Sequence, residues 1–174
     1  AEFELSGHQR RVVDSVQAGE MWVSEKLTEA IDAWEWPLMY LDFETVSTCL
    51  PLYEGLGPYN QIPTQYSLHI RRGAVDPPEH RDYLADGAED CRREFAELLL
   101  ADLETDGNIV VYSSFEKTIL TRLQEWFDDL ADPLERVKER LVDLQAIIKK
   151  HVWHPEFRGS TSIKRTLPVL VPEM

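Results

Sequence analysis

The alternation of apolar and polar positions predicts a chain that begins with one helix and a buried strand. Apolar residues recur near every 3.6 positions across 20–35, as in an amphipathic helix, and Pro37 marks its end. The next stretch, "LMYLDFET", has apolar residues on both faces as far as Asp42. This pattern indicates a central strand that is covered on two sides.

Further along the chain, the same pattern predicts the elements of a mixed sheet. Short links around the strands at 65–72 and 80–86 indicate an antiparallel meander with the first strand. A short apolar run at 108–113 predicts a further buried strand. The order predicts an α/β fold with three antiparallel strands and then parallel strands, flanked by helices. The other predicted helices cover 89–103, 114–127, the stretch after Pro133, 141–151 (entered through a strand residue or two) and a short final segment limited by Pro168.

Composition and cysteine usage are those of a folded domain outside the membrane. The 174 residues are 43% hydrophobic and 29% charged. No apolar run approaches the roughly 20 residues that a membrane span needs, so no membrane partner is expected. Cys49 and Cys91 are too far apart for a metal-type pair, which favours free thiols and a cytoplasmic location.

The ends of the sequence are interpreted as cuts from a longer polypeptide. The chain lacks an initiator Met and stops at "PVLVPEM" without a turn or capping signal. We expect residues 1–35 to be a helical lead-in from the longer protein, and residues 36–174 to be the main domain, incomplete at its C-terminus.

Charge argues against a simple nucleic-acid binder. Lys and Arg total 18 and Asp and Glu total 32, a net charge of −14. A protein that holds a phosphate backbone by charge alone should be basic, so metal ions or further chain would have to supply much of the attraction. The C-terminal third is locally basic, and its cations could follow a phosphate backbone or simply be solvated. They are Lys149, Lys150, Arg158, Lys164 and Arg165.

Asp42 and Glu44 are the first candidates for chemistry. Two residues apart on a strand, they point to the same face, roughly 6.5 to 7 Å apart along it. Carboxylates on a largely buried strand need a positive partner or access to solvent, because desolvating each ion costs several kcal/mol. A divalent cation would satisfy both, and so would a solvated strand end.

Glu116 is the second candidate. In the helix predicted at 114–127 it heads the apolar stripe with Leu120 and Leu123, so it faces inward. Ser113 to Glu116 also form an S-x-x-E capping box, in which the glutamate folds back onto the N-cap amide. Capping would stabilise the helix by about 1 kcal/mol and needs no metal, and the two roles do not exclude each other.

Together these stretches resemble the ribonuclease H-like fold of the DEDD (DnaQ-like) 3′–5′ exonucleases. The similarity lies in "DFET" at a strand's end, the strand–helix segment "YSSFEKTIL", and "LVDL". More narrowly, "PYNQIPTQYSLHI" and "KKHVWHPEFRGSTSIKRTLPVLVP" resemble an uncharacterised bacterial domain family of that superfamily, which is typically found towards the C-terminus of longer proteins. The resemblance covers about residues 36–174 and implies a ribonuclease H-like mixed sheet.

The resemblance also implies a site that hydrolyses phosphodiester bonds with two Mg²⁺ or Mn²⁺ ions. Asp42 would bridge both ions, Glu44 would hold one and orient water, and Glu116 would hold the other. The implied substrate is a single-stranded DNA or RNA end. The residues implied to support the site are Asp143 and Ser113, and those implied to contact the terminal nucleotide are Phe43, Thr45 and Lys117.

Two features depart from the superfamily's pattern. Its second motif commonly has Asn and then Phe-Asp, where this chain has Ser113 and Glu116. A fourth acidic ligand is missing after Asp143, where only Glu156 and Glu173 are acidic. We therefore expect a catalytic domain with three of four ligands, weak or inactive alone, whose last motif follows Met174.

Three functions are compatible with these features. A metal-dependent exonuclease is favoured. A non-catalytic nucleic-acid or protein-binding module would explain the altered second motif and the acidic charge, and an accessory domain that contacts other domains of the parent protein would explain the abrupt ends. A zinc site at His151 and His154 is disfavoured by Pro155 and by the lack of nearby cysteine, and His69 is interpreted as a hydrogen-bonded strand residue.

Overall fold

A computed structural model describes residues 4–87 and 89–173. The chain forms two compact units, Trp34–Val142, here the sheet unit, and Ala1–Ala33 with Asp143–Met174, here the terminal unit. The predicted division into a lead-in at 1–35 and a domain at 36–174 stays a prediction.

The helices and strands follow the predicted order from the first antiparallel strand onward. In chain order they are α1 (Gly7–Ala18), β1 (Trp22–Val23), α2 (Leu27–Asp32), β2 (Leu38–Val46), β3 (Ile62–Arg71), β4 (Glu79–Leu84), α3 (Arg92–Asp102), β5 (Asn108–Val111), α4 (Phe115–Trp126), α5 (Ala131–Glu139), β6 (Leu141–Asp143), α6 (Leu144–His151), β7 (Val152–Trp153) and α7 (Ile163–Leu170), with 3₁₀ turns at Asp128–Leu130 and Pro155–Phe157.

The main sheet has five strands in the order β4-β3-β2-β5-β6. The pairs β2–β3 and β3–β4 are antiparallel, while β2 and β5 are parallel. This arrangement confirms the predicted α/β fold with a mixed sheet flanked by helices. Strand β2 lies in the middle: β5 pairs with its first residues, Leu38 to Tyr40, while β3 pairs along its whole length to Val46.

One face of the sheet packs against α3 and α4 to form the core. Alternate residues of β2 and β3 point into this core, as the period of two requires. Phe95 of α3 is fully buried, and its ring meets those of Phe43, Tyr66 and Tyr83 edge to face at 5.2 to 5.9 Å. Tyr66 also donates a 2.5 Å hydrogen bond to Asp102, and burial raises the pKa of its phenol far above the usual value. The β2 and β3 side chains in the core are Met39, Leu41, Phe43, Tyr66, Leu68 and Ile70.

The opposite face of β2, β3 and β4, here the open face, is accessible to solvent. Leu38 at the start of β2 is buried on this side, but Tyr40, Asp42 and Glu44 are exposed. The prediction that β2 is covered on two sides is therefore wrong beyond its first residues. The reason is that Tyr40 is amphipathic and tolerates a wet face as well as a buried one. The open face comprises Tyr40, Asp42, Glu44, Gln65, Ser67, His69, His80, Asp82 and Leu84.

Arg140 holds the turn that leads into β5. Its guanidinium donates to the carbonyl oxygens of Gly107 at 2.8 Å and Glu104 at 2.6 Å, and also to that of Asp106. Its own carbonyl accepts from the amide of Ile109 at 3.0 Å. Removal from solvent lowers the pKa of this guanidinium from its ordinary value. One side chain thus fixes the loop that positions the parallel strand beside β2.

The terminal unit contains elements that the hydrophobic pattern did not predict. Helix α1 is mostly exposed and is held at its ends, by a reciprocal capping box between Ser6 and Gln9 and by Gly19 in the left-handed conformation. The helix predicted across 20–35 is shorter, because Trp22 and Val23 pair with Trp153 and Val152 as a two-stranded sheet. Of the helices that the described residues form, none combines the length and apolar character needed to cross a bilayer.

Candidate carboxylate site

Asp42 and Glu44 lie side by side on the open face of β2. Both side chains are exposed, while the alternating residues Leu41 and Phe43 are buried on the other face. Asp42 pairs in register with Ser67 of β3, and Glu44 pairs with Gln65. The carboxylates are therefore solvated, and no burial penalty has to be offset at these two positions.

A β-bulge follows Glu44 directly. Thr45 pairs with Pro63, so Thr64 is an extra residue on β3, and its hydroxyl donates to the Glu44 carbonyl at 3.4 Å. Pro63 has no amide hydrogen for the ladder, which explains why an interior strand is irregular at this point. Bulges increase the local twist and redirect side chains, and they are frequent beside functional sites. The bulge lies at Pro63 and Thr64, which belong to the "IPT" of the distinctive "PYNQIPTQYSLHI" stretch.

Glu116 is buried near the start of α4. It is 3% exposed and lies on the same helix face as the buried Ile119, Leu120 and Leu123, which confirms the predicted inward stripe. The predicted capping box placed the N-cap at Ser113, one residue too early. The helix begins at Phe115, and Ser114 occupies the N-cap position. Ser114 makes no side-chain capping bond.

The strand register places the start of α4 at the same edge of the sheet as the two carboxylates. Tyr40 pairs with Val110 in the parallel β2–β5 ladder, so Asp42 and the residues after Val111 leave the sheet in the same direction. Arg122 of α4 donates to Gln61, just before β3, at 2.9 Å, which fixes the helix against this part of the sheet. The residues that follow two neighbouring parallel strands lie together at the edge formed by the carboxyl ends of these strands. This edge is where α/β folds commonly bind ligands.

The three acids suit a hard divalent cation by donor chemistry, but they do not form a closed cage. Carboxylate oxygens with open positions for water or phosphate are what Mg²⁺ and Mn²⁺ prefer. Within residues 4–87 and 89–173, no group of three or more His, Cys, Asp or Glu side chains is arranged to hold a metal ion. An ion at Asp42 and Glu44 therefore requires reorientation of these exposed side chains.

Comparison with protein families supplies an identity for most of this chain. Residues 39–162 match the family described as Domain of unknown function (DUF2779). The chain belongs to this family. The matched segment contains Asp42, Glu44, Glu116 and Asp143, together with the bulge of β3. No curated protein and no solved structure matches the chain.

The other predicted site residues of this family member occupy varied environments. Phe43 packs in the core on the face opposite Asp42, so a substrate contact by its ring is not supported. Thr45 is half-buried at the bulge, and Ser113 accepts a 3.3 Å bond from the Phe115 amide. Lys117 is exposed and lines an open cleft along α4 with Ser114 and Arg122. Asp143 caps α6 by accepting from the Ala146 amide at 2.8 Å.

The sequence analysis missed a second group of polar residues on the open face. His69 and His80 pair across β3 and β4 with stacked rings 4.3 Å apart. His80 Nε2 lies 3.1 Å from the Ser67 hydroxyl, and its Nδ1 lies 3.9 Å from Asp82. Ser67 is the register partner of Asp42, so this group flanks the carboxylate pair. The available signal was the alternation of "YSLH" and "HRDY", which places these side chains on one face.

The two cysteines and the two C-terminal histidines differ in their surroundings. Cys49 and Cys91 are both free, as predicted; Cys49 is exposed, while burial raises the pKa of the Cys91 thiol. His151 is buried in α6, and His154 Nδ1 accepts from the Glu156 amide at 3.1 Å.

Proposed function

We propose that this DUF2779 domain is the catalytic part of a cytoplasmic, metal-dependent 3′–5′ exonuclease of the ribonuclease H-like superfamily. The observation that carries the proposal is the pair Asp42 and Glu44, which share one solvent-open face at the edge where Glu116 begins α4. The order of antiparallel and parallel strands supports the superfamily assignment, because it is the order that the resemblance implies. The proposed substrate is a single-stranded DNA or RNA end.

In this proposal each acid has a distinct role. Asp42 and Glu44 would hold Mg²⁺ or Mn²⁺ at the open face, and Glu116 would contribute a carboxylate from the adjacent helix. Bound metal supplies a lowered pKa for the attacking water and stabilises charge on the phosphate. Glu44 would also orient the water, while Lys117, exposed one residue after Glu116, would attract the phosphate of the terminal nucleotide.

A non-catalytic binding module is the second candidate. It is favoured by the lack of a three-ligand metal group among residues 4–87 and 89–173, and by the changed second motif at Ser113 and Glu116. On this alternative the fold binds nucleic acid or protein partners without cleavage. The two candidates differ in whether divalent metal produces shortened oligonucleotides.

The test is digestion of 5′-labelled single-stranded DNA and RNA under enzyme excess. With Mg²⁺ or Mn²⁺ we expect a ladder of products shortened from the 3′ end, and with EDTA no products. The reaction of this chain should be slow, because the resemblance implies a fourth acid beyond the three identified. Binding without metal-dependent shortening would establish the non-catalytic alternative.

A further inference from the structure

We propose that the terminal unit carries a docking surface for the phosphate backbone of single-stranded nucleic acid. The surface, here the basic surface, consists of Lys149 and Lys150 of α6, Arg158, and Lys164 and Arg165 of α7. The choice of ligand rests on the proposed function, but the binding itself requires neither the carboxylates nor metal.

The first observation is the distribution of charge along the chain. The segment 144–173 contains these five cations and only two acids, Glu156 and Glu173. The rest of the chain has 13 Lys and Arg against 30 Asp and Glu. A local positive excess in a protein of net charge −14 concentrates attraction for polyanions at one place, where it also steers their approach.

The second observation is that these cations form no ion pair with the acidic side chains among residues 4–87 and 89–173. All five side chains are exposed. The ion pairs between described side chains lie in the sheet unit, where they engage Arg72, Arg81, Arg92, Arg93 and Lys138. None of them includes a member of the basic surface. The charge of the basic surface is thus available to an external anion.

The third observation is that the fold joins the two helices that present the surface. Gln145 Nε2 donates to the Thr161 carbonyl at 3.0 Å, which ties α6 to the segment just before α7. Lys149 is four residues after Gln145, so it lies on the same helix side one turn further along. Arg158 follows Phe157, which is fully buried and packs against Trp153 at 6.3 Å between ring centres.

The electrostatics of α7 strengthen this positive region. Lys164 and Arg165 lie in its first turn, which has no acidic residue, and the N-cap Ser162 makes no side-chain capping bond. Cations at the positive end of a helix are unfavourable on their own, since anions are what stabilise this end. Two cations at this end are compatible with a polyanionic ligand, and phosphate is the anion that the proposed substrate supplies.

The test is the binding of a 5′-fluorescein single-stranded 12-mer, measured by anisotropy in EDTA between 50 and 300 mM salt. Each phosphate contact contributes about −0.7 to the slope of log K against log salt, so five contacts should give a wild-type slope of about −3.5. The double variants Lys149→Gln/Lys150→Gln and Lys164→Gln/Arg165→Gln should each weaken binding by about 10-fold or more at 100 mM salt and reduce the slope by about 1.4.

The matched control is Arg72→Gln/Arg93→Gln, which removes the same charge from exposed, ion-paired positions of the sheet unit. It should change affinity by less than about 3-fold, since it touches no proposed phosphate contact. Equal losses of affinity in all three double variants would show an effect of net charge and would overturn the docking surface. Unchanged affinity in the α6 and α7 variants would also overturn it. Circular dichroism spectra confirm that each variant is folded.

Two further measurements distinguish the nucleic-acid surface from a membrane-binding surface and from the carboxylate site. Vesicles of phosphatidylcholine with 30% phosphatidylserine test a membrane ligand, and charge-dependent vesicle binding without oligonucleotide binding would overturn the nucleic-acid assignment. Asp42→Asn should retain oligonucleotide binding in EDTA. If Asp42→Asn stops cleavage while the basic-surface variants bind normally, the exonuclease proposal stands and the docking surface fails.

Discussion

Replacement of Asp42 by Asn should lower metal-dependent phosphodiester cleavage by at least about 1,000-fold. In the proposed site Asp42 would hold metal, and loss of its carboxylate would remove several kcal/mol of stabilisation of developing charge, where each 1.36 kcal/mol changes the rate tenfold. The fold should be preserved, because Asp42 is exposed and Asn has nearly the same shape. Single-turnover digestion of the labelled 12-mer measures the change, with enzyme in excess so that a slow wild-type rate is resolved.

Asp82→Asn is the matched control for this substitution. Asp82 lies on the same open face as Asp42, and both residues pair in register with Ser67 of β3. Each substitution therefore removes one exposed carboxylate from this face. We expect Asp82→Asn to alter the rate by less than about 3-fold, since an exposed charge two strands away acts only through screened Coulomb interaction. Equal losses in both variants would mean that the charge of the open face matters and that Asp42 holds no ion.

Replacement of Gly107 by Ala should destabilise the protein by more than about 4 kcal/mol. Gly107 has φ of +78° beside the loop that Arg140 holds, and a Cβ there would lie 2.0 Å from the Pro37 carbonyl oxygen and 2.6 Å from its nitrogen. Backbone atoms cannot give way as a flexible side chain does, so the clash adds to the 1–2 kcal/mol or so of left-handed strain. Urea unfolding followed by tryptophan fluorescence measures the change.

The control for Gly107 is Gly55→Ala. Gly55 has φ of +79°, almost the same as Gly107, but a Cβ there meets no atom within 4 Å among the described residues. This substitution should therefore cost only about 1 kcal/mol from backbone strain. Similar destabilisation by both substitutions would show that the close approach of Gly107 to Pro37 is not important for stability.

Much of the sheet unit could be predicted because its signals are local. The apolar runs of β2 and β3 and the 3.6-residue stripe of α4 each reflect burial against one core, and these elements were confirmed, although the cover predicted for the second face of β2 was wrong. Helix α1 escaped prediction because it has little apolar surface and depends on its caps, although Ser6 and Gln9 form a readable S-x-x-Q signal. Strands β1 and β7 have two residues each and arise from pairing between distant segments, which leaves no local pattern.

The candidate site shows the same division between local and non-local information. That Asp42 and Glu44 share a face follows from their spacing, and the inward position of Glu116 follows from its place ahead of Leu120 and Leu123. The helix start at Phe115 could not be read, because Ser113 and Ser114 are equally good N-cap residues. The pairing of Asp42 with Ser67 is fixed by the register of β2 against β3. A single sequence specifies this register only through its hydrophobic pattern.

The most direct test of the central claim is the anomalous diffraction of crystals soaked in Mn²⁺. The account predicts a manganese peak in contact with the carboxylates of Asp42 and Glu44, and its loss in crystals of Asp42→Asn. The claim concerns metal held by these two side chains, so the measurement does not depend on how fast the chain cleaves nucleic acid. Absence of a peak at this pair would contradict it.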